Sequence, residues 1–245
     1  MKRFFIYLGV IVFWIGIWWI FALIVNDSYA LPSPLDTAKS LFRLLKESYF
    51  YEVIAFSLFR VLVGLFLGIF VAAILSCASA HLTPVRLLVS PLISVMKAMP
   101  VATFILLLWL TVSGQVLTVF IGFIMVMPII YQNLLEGYDS IDKNLLELTF
   151  VFKFSRIKRF RLLTLPTLLS YFSPAVITSI GLAFKSQIAA EIIAYTNHSI
   201  GQYIYDANFA LDTPTVFAWA FVIVCFSIGL EVVCRKLLGR VKNVD

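Results

Sequence analysis

The stretch ELTFVFKFSRIKRFRLLTLP, residues 147–166, lies between two long hydrophobic segments of the chain. It begins with an acidic residue, Glu147, carries basic residues between positions 153 and 161, and ends in the box Leu163-Thr164-Leu165-Pro166. A basic segment between two apolar runs is typical of a loop that joins two membrane-spanning helices on the inner side. This loop therefore predicts that the chain is an integral membrane protein.

Composition supports a membrane protein. Hydrophobic residues make up 62% of the 245, charged residues only 13%, and the mean hydropathy is +1.00. A soluble domain of this length needs far more polar surface. About 20 helical residues cross a hydrocarbon core of roughly 30 Å. Six stretches are long enough, namely 4–25, 53–80, 87–112, 116–135, 168–190 and 216–234.

Basic residues predict the orientation of these spans, because lysine and arginine are enriched in cytoplasmic loops. With the N-terminus inside, 13 of the 19 basic residues fall on the inner side and three on the outer side. The remaining three fall within spans and are Arg60, Lys97 and Lys185. We therefore predict an all-α membrane protein with six transmembrane helices and both termini in the cytoplasm.

The first span has a second interpretation, a signal peptide with Ser28-Tyr29-Ala30 as its cleavage site. Its apolar run is longer than the roughly 7–15 residues of a typical signal core. Three tryptophans in the run, Trp14, Trp18 and Trp19, are typical of a helix that stays in the membrane. We favour a retained helix.

Residues 33–50 predict an external amphipathic segment. Ser33 is placed to cap a helix that begins with Pro34 and has Asp36 in its first turn. Apolar residues then recur at helical spacing opposite basic ones, with Leu35, Ala38, Leu41 or Phe42, and Leu45 facing Lys39, Arg43 and Lys46. Such a helix lies on the outer membrane surface. We interpret it as a packing element.

The inner loop, residues 136–166, predicts two short helices, at 144–154 and at 155–162. Ser155 is a plausible N-cap for the second. Pro166 falls in the first turn of the fifth span, where its missing N–H does no harm. By charge alone, the segment would be an ordinary basic loop positioned at the phospholipid headgroups.

The spacing within the loop resembles the cytoplasmic coupling loop of ABC importer permeases. That family's pattern reads Glu-Ala-Ala, three free positions, Gly, nine free positions, then Ile-x-Leu-Pro. Counted from Glu147, it places the aliphatic residue at Leu163 and the proline at Pro166. Three positions depart from it, Leu148 and Thr149 in place of the alanines and Lys153 in place of the glycine. The lysine suggests a continuous or differently capped helix there.

Further boxes from position 31 onward resemble the nitrate/sulfonate/taurine-type members of that class. They are Leu31-Pro32-Ser33-Pro34, Ser57-Leu58-Phe59-Arg60-Val61 with Gly64 and Gly68, Lys97-Ala98-Met99-Pro100, and Ala190-Glu191 followed by Ser199-Ile200-Gly201-Gln202. Each box is short, and their common order and spacing carry the resemblance. It implies a type I importer permease fold, with one transmembrane domain over 1–245 and a core at 53–235.

The resemblance also implies partners. The chain would pair with a second copy of itself and with two ABC ATPase subunits, and a soluble extracytoplasmic protein would deliver substrate. It would bind no cofactor itself, because the partner hydrolyses ATP. A short helix seated on the ATPase would convert closure of the ATPase pair into movement of the spans. In that joint Glu147 supplies a polar contact or a local cap, and Leu163, Leu165 and Pro166 supply a fixed base.

Charges within spans are expensive and mark functional sites by default. Arg60, Lys97 and Lys185, with Glu191 just past the fifth span, could line the path of a small anion such as a sulfonate, nitrate or carboxylate. The structural alternative is favoured for each residue. In it Arg60 pairs with Glu191 or with carbonyls, Lys185 reaches toward the interface, and Lys97 holds a helix broken at Pro100.

Other classes of function fit less well. A membrane-embedded enzyme needs catalytic groups within reach of one another, and the two histidines, His81 and His198, fall on opposite sides of the membrane. No glycine-rich nucleotide-binding loop is present. A passive channel or a secondary transporter is a further alternative. A secondary transporter usually shows repeated halves and midplane carboxylates, and the sequence shows neither. The cysteines, Cys77, Cys225 and Cys234, have no paired spacing and indicate packing rather than a disulfide or a metal site.

Overall fold

The computed structural model describes the backbone of residues 2–242 and the side chains of residues 5–6 and 8–238. The side chains of Lys2, Arg3, Arg240 and Lys242, which contribute to the predicted orientation, lie outside the described residues. Within this part of the chain the fold is all-helical. Its helices are α1 (Lys2–Val25), α2 (Pro34–Leu44), α3 (Ser48–His81), α4 (Thr83–Ala98), α5 (Val101–Trp109), α6 (Gly114–Asp139), α7 (Lys143–Val151), α8 (Arg156–Arg159), α9 (Leu165–Ile193), α10 (Ile200–Phe209) and α11 (Thr213–Lys242).

Five helical segments of the described chain are long and apolar enough to cross a membrane, and a bent pair makes a sixth. The bent pair is α4 with α5, which replaces the predicted third span at 87–112 and turns by 97°. The break falls at Met99, which is extended (ψ 133°), because a residue before proline is disfavoured in the helical region. The predicted third span is therefore divided between two helices, and Lys97 stands two residues before the break.

The core is formed by α3, α6 and α9, which pack side by side. Fully buried apolar residues of these helices share one cluster and include Val61, Ala72, Val126, Ile130, Ile180 and Ala183. Two glycines of α3 let its backbone approach α6 closely, as small residues do between membrane helices. A Cβ on Gly64 would lie 2.8 Å from the carbonyl oxygen of Val119, and one on Gly68 would lie 2.8 Å from the Val126 side chain.

The close approach at Gly64 predicts a specific loss of stability. We expect Gly64→Ala to lower the free energy of unfolding by about 1–3 kcal/mol, because the added methyl meets a backbone oxygen that cannot move aside. Gly9→Ala in α1 is the matched control, since a Cβ there meets nothing within 4 Å. Thermal unfolding of both variants in detergent tests this. Equal midpoints for the two variants would show that α3 and α6 are not in tight contact.

The predicted helix start at Ser33 is confirmed. The Ser33 hydroxyl accepts from the backbone N–H of Asp36 at 3.1 Å, and Pro34 opens α2. A hydrogen bond from Ser33, then one from Lys39, lowers the pKa of Asp36, so the first turn keeps its negative charge. The helix ends at Leu44, and the rest of the segment 33–50 turns into α3, which begins at Ser48.

The face of α2 that packs on the protein differs from the predicted apolar stripe. Thr37, Ser40 and Leu44 are buried, whereas Leu35 and Phe42 are exposed. Arg43 ties the helix to the start of α11 through Asp212, at 2.9 Å, and Thr215, at 2.8 Å. The exposed apolar residues remain available to the membrane surface, while the polar face is held by protein.

The first helix, α1, has few contacts with the rest of the fold. Almost all of its described side chains are exposed. Trp18 donates from its indole N–H to the carbonyl of Pro32 at 3.1 Å and stacks on Phe217 with ring centroids 5.8 Å apart. These contacts attach α1 to the first turns of α11.

Candidate functional site

The first half of the inner loop forms α7, close to the helix predicted at 144–154. Its N-cap is Asp142, whose carboxylate accepts from the N–H of Asn144 at 2.8 Å. Of the two alternatives for Glu147, a polar contact or a local cap, the cap is therefore supplied by Asp142 instead. The Glu147 side chain is exposed and makes no hydrogen bond or ion pair with any other residue that the structure describes. Its carboxylate is free to meet a partner.

Exposed apolar side chains surround Glu147 on α7. Leu145 and Leu148 are about half exposed, at 47% and 48%, and Val151 and Phe152 are more exposed still. Thr149, in contrast, is buried, and its hydroxyl donates to the carbonyl of Leu146 at 2.7 Å. A short helix that presents an apolar surface with one unpaired acid is typical of a protein–protein contact.

Lys153 ends α7 in the left-handed conformation, with φ 51°. The N–H of Phe154 donates to the carbonyl of Thr149 at 2.9 Å, and that of Lys153 to Phe150 at 3.0 Å, which closes the helix end. Glycine is the residue that usually occupies such a position. Of the two expectations at Lys153, a continuous helix or a differently capped one, the structure has the second, because the turn forms although its residue is a lysine.

This backbone strain predicts that Lys153→Gly stabilises the loop. We expect the free energy of unfolding of the loop to rise by about 0.5–1 kcal/mol, because glycine adopts positive φ without the steric strain of a lysine. Amide hydrogen exchange of α7 should slow severalfold. Lys158→Gly is the control, because Lys158 lies within α8 and glycine there weakens the helix. Faster exchange in the Lys153 variant would show that the turn is unstrained.

The second half of the loop is more continuous than predicted. Ser155 caps α8 as expected, accepting from the N–H of Lys158 at 3.2 Å. The helix does not end near residue 162, however. A π-helical turn, Phe160–Thr164, carries it directly into α9, giving one helical segment over Arg156–Ile193. Because Pro166 has no N–H to donate, the widened turn before it is a natural place for the irregularity.

The aliphatic and proline box lies on this continuous segment. Leu163 is half-buried, Leu165 is 37% exposed and Pro166 is exposed. The hydroxyl of Thr167 donates to the carbonyl of Leu163 at 2.8 Å across the junction. The base of the loop is thus continuous with α9.

Arg60 and Glu191, two of the predicted pathway residues, form a buried ion pair with 3.3 Å between Nη1 and Oε1. Arg60 is 6% exposed and Glu191 is fully buried. The guanidinium also donates to the carbonyls of Asn197 and His198, at 3.2 Å each. Burial of both charges is possible because each is paired and hydrogen-bonded.

Glu191 has two further partners that the sequence did not reveal. Its Oε2 accepts from the hydroxyl of Ser57 at 2.9 Å and from the N–H of Gly201 at 3.2 Å. Ser57 in turn accepts from the N–H of Ile200 at 3.0 Å. A Cβ on Gly201 would overlap the side chain of Glu191. The network joins α3, α9 and the start of α10, which matches the structural alternative for Arg60.

Lys97 and Lys185 lie elsewhere. Lys97 donates from Nζ to the side-chain oxygen of Gln132 at 2.7 Å and lines a cavity of about 300 Å³ beside the α4–α5 break. Leu182 of α9 lines the same cavity. Lys185, three residues further along α9, is exposed and forms no ion pair within the described chain. Four predicted pathway residues thus divide into one buried pair and two separate cations.

Most of the chain matches one known protein family. The model of the binding-protein-dependent transport system inner membrane component matches residues 64–243, a range that includes the whole inner loop. The chain belongs to this family. It is the membrane-spanning permease subunit of an ABC transporter, a multi-pass protein of the inner membrane. The ATPase activity resides in a partner subunit, so the permease is not itself an enzyme.

The fold of the permease is also found among solved structures. It is similar to the chain in "Crystal structure of an amino acid ABC transporter with histidines", with a TM-score of 0.55 and 17% identity. The match covers 79% of the permease and 92% of that chain. At this identity the likeness concerns the fold alone. No curated protein matches the permease sequence. Family membership implies partner ATPase subunits and a substrate-binding protein.

Proposed function

We propose that the permease is one of two membrane-spanning subunits of an ATP-driven importer, and that the ATPase subunits of this importer bind α7. The observation that carries the proposal is the exposed surface of α7, with apolar Leu145 and Leu148 and the unpaired acid Glu147. Leu163, Leu165 and Pro166 form the base of this joint, and Thr149 and Lys153 shape α7 itself. The loop lies on the cytoplasmic side in this proposal, as the distribution of basic residues predicts.

The continuous helical segment Arg156–Ile193 explains how movement of the loop would reach the membrane. Force on α7 passes through the turn at Lys153 to α8, and from there through the π-helical turn to α9. Since α9 packs in the core with α3 and α6, it carries the cavity beside Lys97 with it. Rigid-body movement of this kind is an established means of alternating access.

The proposal is tested by reconstitution. The permease should co-purify with an ABC ATPase, and solute uptake into proteoliposomes should cease when that ATPase carries an inactivating substitution. Uptake that continues without ATP hydrolysis would instead identify a channel or a secondary transporter.

We propose a small anion, such as a sulfonate or nitrate, as the solute, with a pathway between two copies of the chain. An exposed cation on a membrane helix is costly against lipid, so Lys185 is expected to face water or a second copy. Lys97 and Leu182 line a cavity of about 300 Å³. Lys185 follows Leu182 on α9 by three residues, about one helical turn. Arg60 and Glu191 join α3, α9 and the start of α10.

The pathway proposal predicts that Lys97→Met and Lys185→Met each lower uptake about fivefold or more, because each removes a charge that attracts the anion. Stability should change little, since both side chains are exposed. Lys39→Met on α2 is the control, with an exposed lysine removed far from the cavity. Uptake assays at several solute concentrations separate binding from turnover. Normal uptake in both variants would leave the two lysines with a structural role only.

A further inference from the structure

A second cavity, here called the inner cavity, lies where the inner loop meets the ends of two spans. Its volume is about 440 Å³, and it lies between the last turns of α3 and α6, the helix α7 and the segment from α8 to the π-helical turn. Its polar lining includes His81, Tyr138, Arg156 and Arg159. The family's coupling pattern gives these residues no role.

The inner cavity is positively charged. No aspartate or glutamate lines it, and neither arginine forms an ion pair within the described chain. Two acids at the nearby helix ends already have partners. Asp139 binds Arg86 through two contacts, of 2.7 and 3.0 Å, and Asp142 caps α7. The positive charge of the cavity is therefore left uncompensated by protein.

Two polar groups of the inner cavity, Arg159 and His81, are held in place by their neighbours. The Arg159 guanidinium lies over the ring of Phe150, 4.7 Å from its centroid. His81 contacts the carbonyl of Cys77 through Nδ1 at 2.8 Å, which leaves Nε2 for another partner. The remaining wall is apolar and includes Leu146 and Phe160. A basic rim over an apolar wall fits an amphiphilic anion.

We propose that the inner cavity binds a phosphate ester group, held by Arg156 and Arg159. Guanidinium groups bind phosphate oxygens through paired, charge-assisted hydrogen bonds. The ester can belong to a phospholipid at the membrane surface or to a soluble molecule, and the apolar wall favours the lipid. A phosphate bound there would link α8 to the ends of α3 and α6, and so restrain the loop. Only the cytoplasmic location of the site rests on the proposed function.

The test measures binding to the purified permease without an ATPase, so that it is independent of coupling. Native mass spectrometry would follow retention of phosphatidylglycerol, with diacylglycerol as the lipid that lacks a phosphate. Inorganic phosphate, added in a thermal-shift assay, tests the soluble source. The double variant Arg156→Gln/Arg159→Gln is compared with Lys158→Gln/Arg161→Gln. The second pair removes the same charge from the same segment, but neither residue lines the inner cavity.

We expect the arginine pair variant to bind phosphatidylglycerol at least about tenfold more weakly and the control pair to bind it normally. Inorganic phosphate that protects the wild type with the same dependence on the arginines would also support the site, from the soluble source. The proposal would be overturned if both variants bind phosphatidylglycerol as well as the wild type does, or if both lose binding to the same extent. It would also be overturned if the wild type retains diacylglycerol as well as it retains phosphatidylglycerol. Leu146→Trp narrows the cavity at its apolar wall without a change of charge and should also weaken lipid binding, which keeps the test decisive if the arginine variant fails to fold.

Discussion

Replacement of Glu191 by alanine is expected to destabilise the permease by about 3–5 kcal/mol, because it leaves the Arg60 charge buried without its partner. Ser57 and the N–H of Gly201 would lose their acceptor at the same time. The three elements that meet at this network would separate at lower temperature. Thermal unfolding in detergent micelles, followed by circular dichroism, measures the loss.

Glu231→Ala provides the control for this prediction. Glu231 pairs with Arg235 at 2.7 Å on an exposed face of α11, and such surface pairs contribute about 0–1 kcal/mol. A double variant, Arg60→Met with Glu191→Gln, removes both charges but keeps an acceptor for Ser57 and Gly201. We expect it to recover more than half of the lost stability. Equal losses in Glu191→Ala and Glu231→Ala would refute the bracing role.

Measurements of solute uptake distinguish a structural role of Arg60 and Glu191 from direct contact with the solute. If Glu191 and Arg60 act only by holding α3, α9 and the start of α10 together, uptake should follow the amount of folded permease across these variants. A stable double variant that no longer transports would show that Arg60 takes part in the solute pathway, which is the other role that the sequence predicts for it.

Local features of this fold were well predicted from the sequence. The caps at Ser33 and Ser155 follow from a hydroxyl next to a helix start, and both are formed. Apolar runs of sufficient length predicted the spans, because in a bilayer the backbone N–H and C=O groups must hydrogen-bond within the helix. The coupling pattern located α7 to within about three residues at either end. In each case the physical cause lies within a few residues of the effect.

Features that depend on distant residues were predicted less well. The Arg60–Glu191 pair joins residues 131 positions apart, and the sequence offered it only as one alternative. Asp142 was overlooked as the cap of α7, although aspartate before a helix is a recognisable signal. The break in the third span has a local cause in Pro100, but the 97° angle of the bend depends on how the whole helices pack.

Glu147→Arg is expected to reduce uptake more than tenfold while leaving the permease folded. The side chain is exposed and has no partner among the described residues, so its replacement costs little stability. In the docked complex the new positive charge would face whatever basic group had paired with the acid, at a cost of about 2 kcal/mol or more. Co-purification of the ATPase and ATP-driven uptake in proteoliposomes measure the effect together.

Glu47→Arg is the matched control, since it reverses an exposed acid at the opposite end of α3 from the loop. It should leave ATPase binding intact. Loss of function at Glu147 could not be attributed to melting of α7, because Asp142 caps that helix and remains in place. Restored uptake when a basic residue of the ATPase groove is changed to an acid would establish the contact directly. Normal ATPase binding and normal uptake in Glu147→Arg would show that the ATPase binds elsewhere on the inner surface.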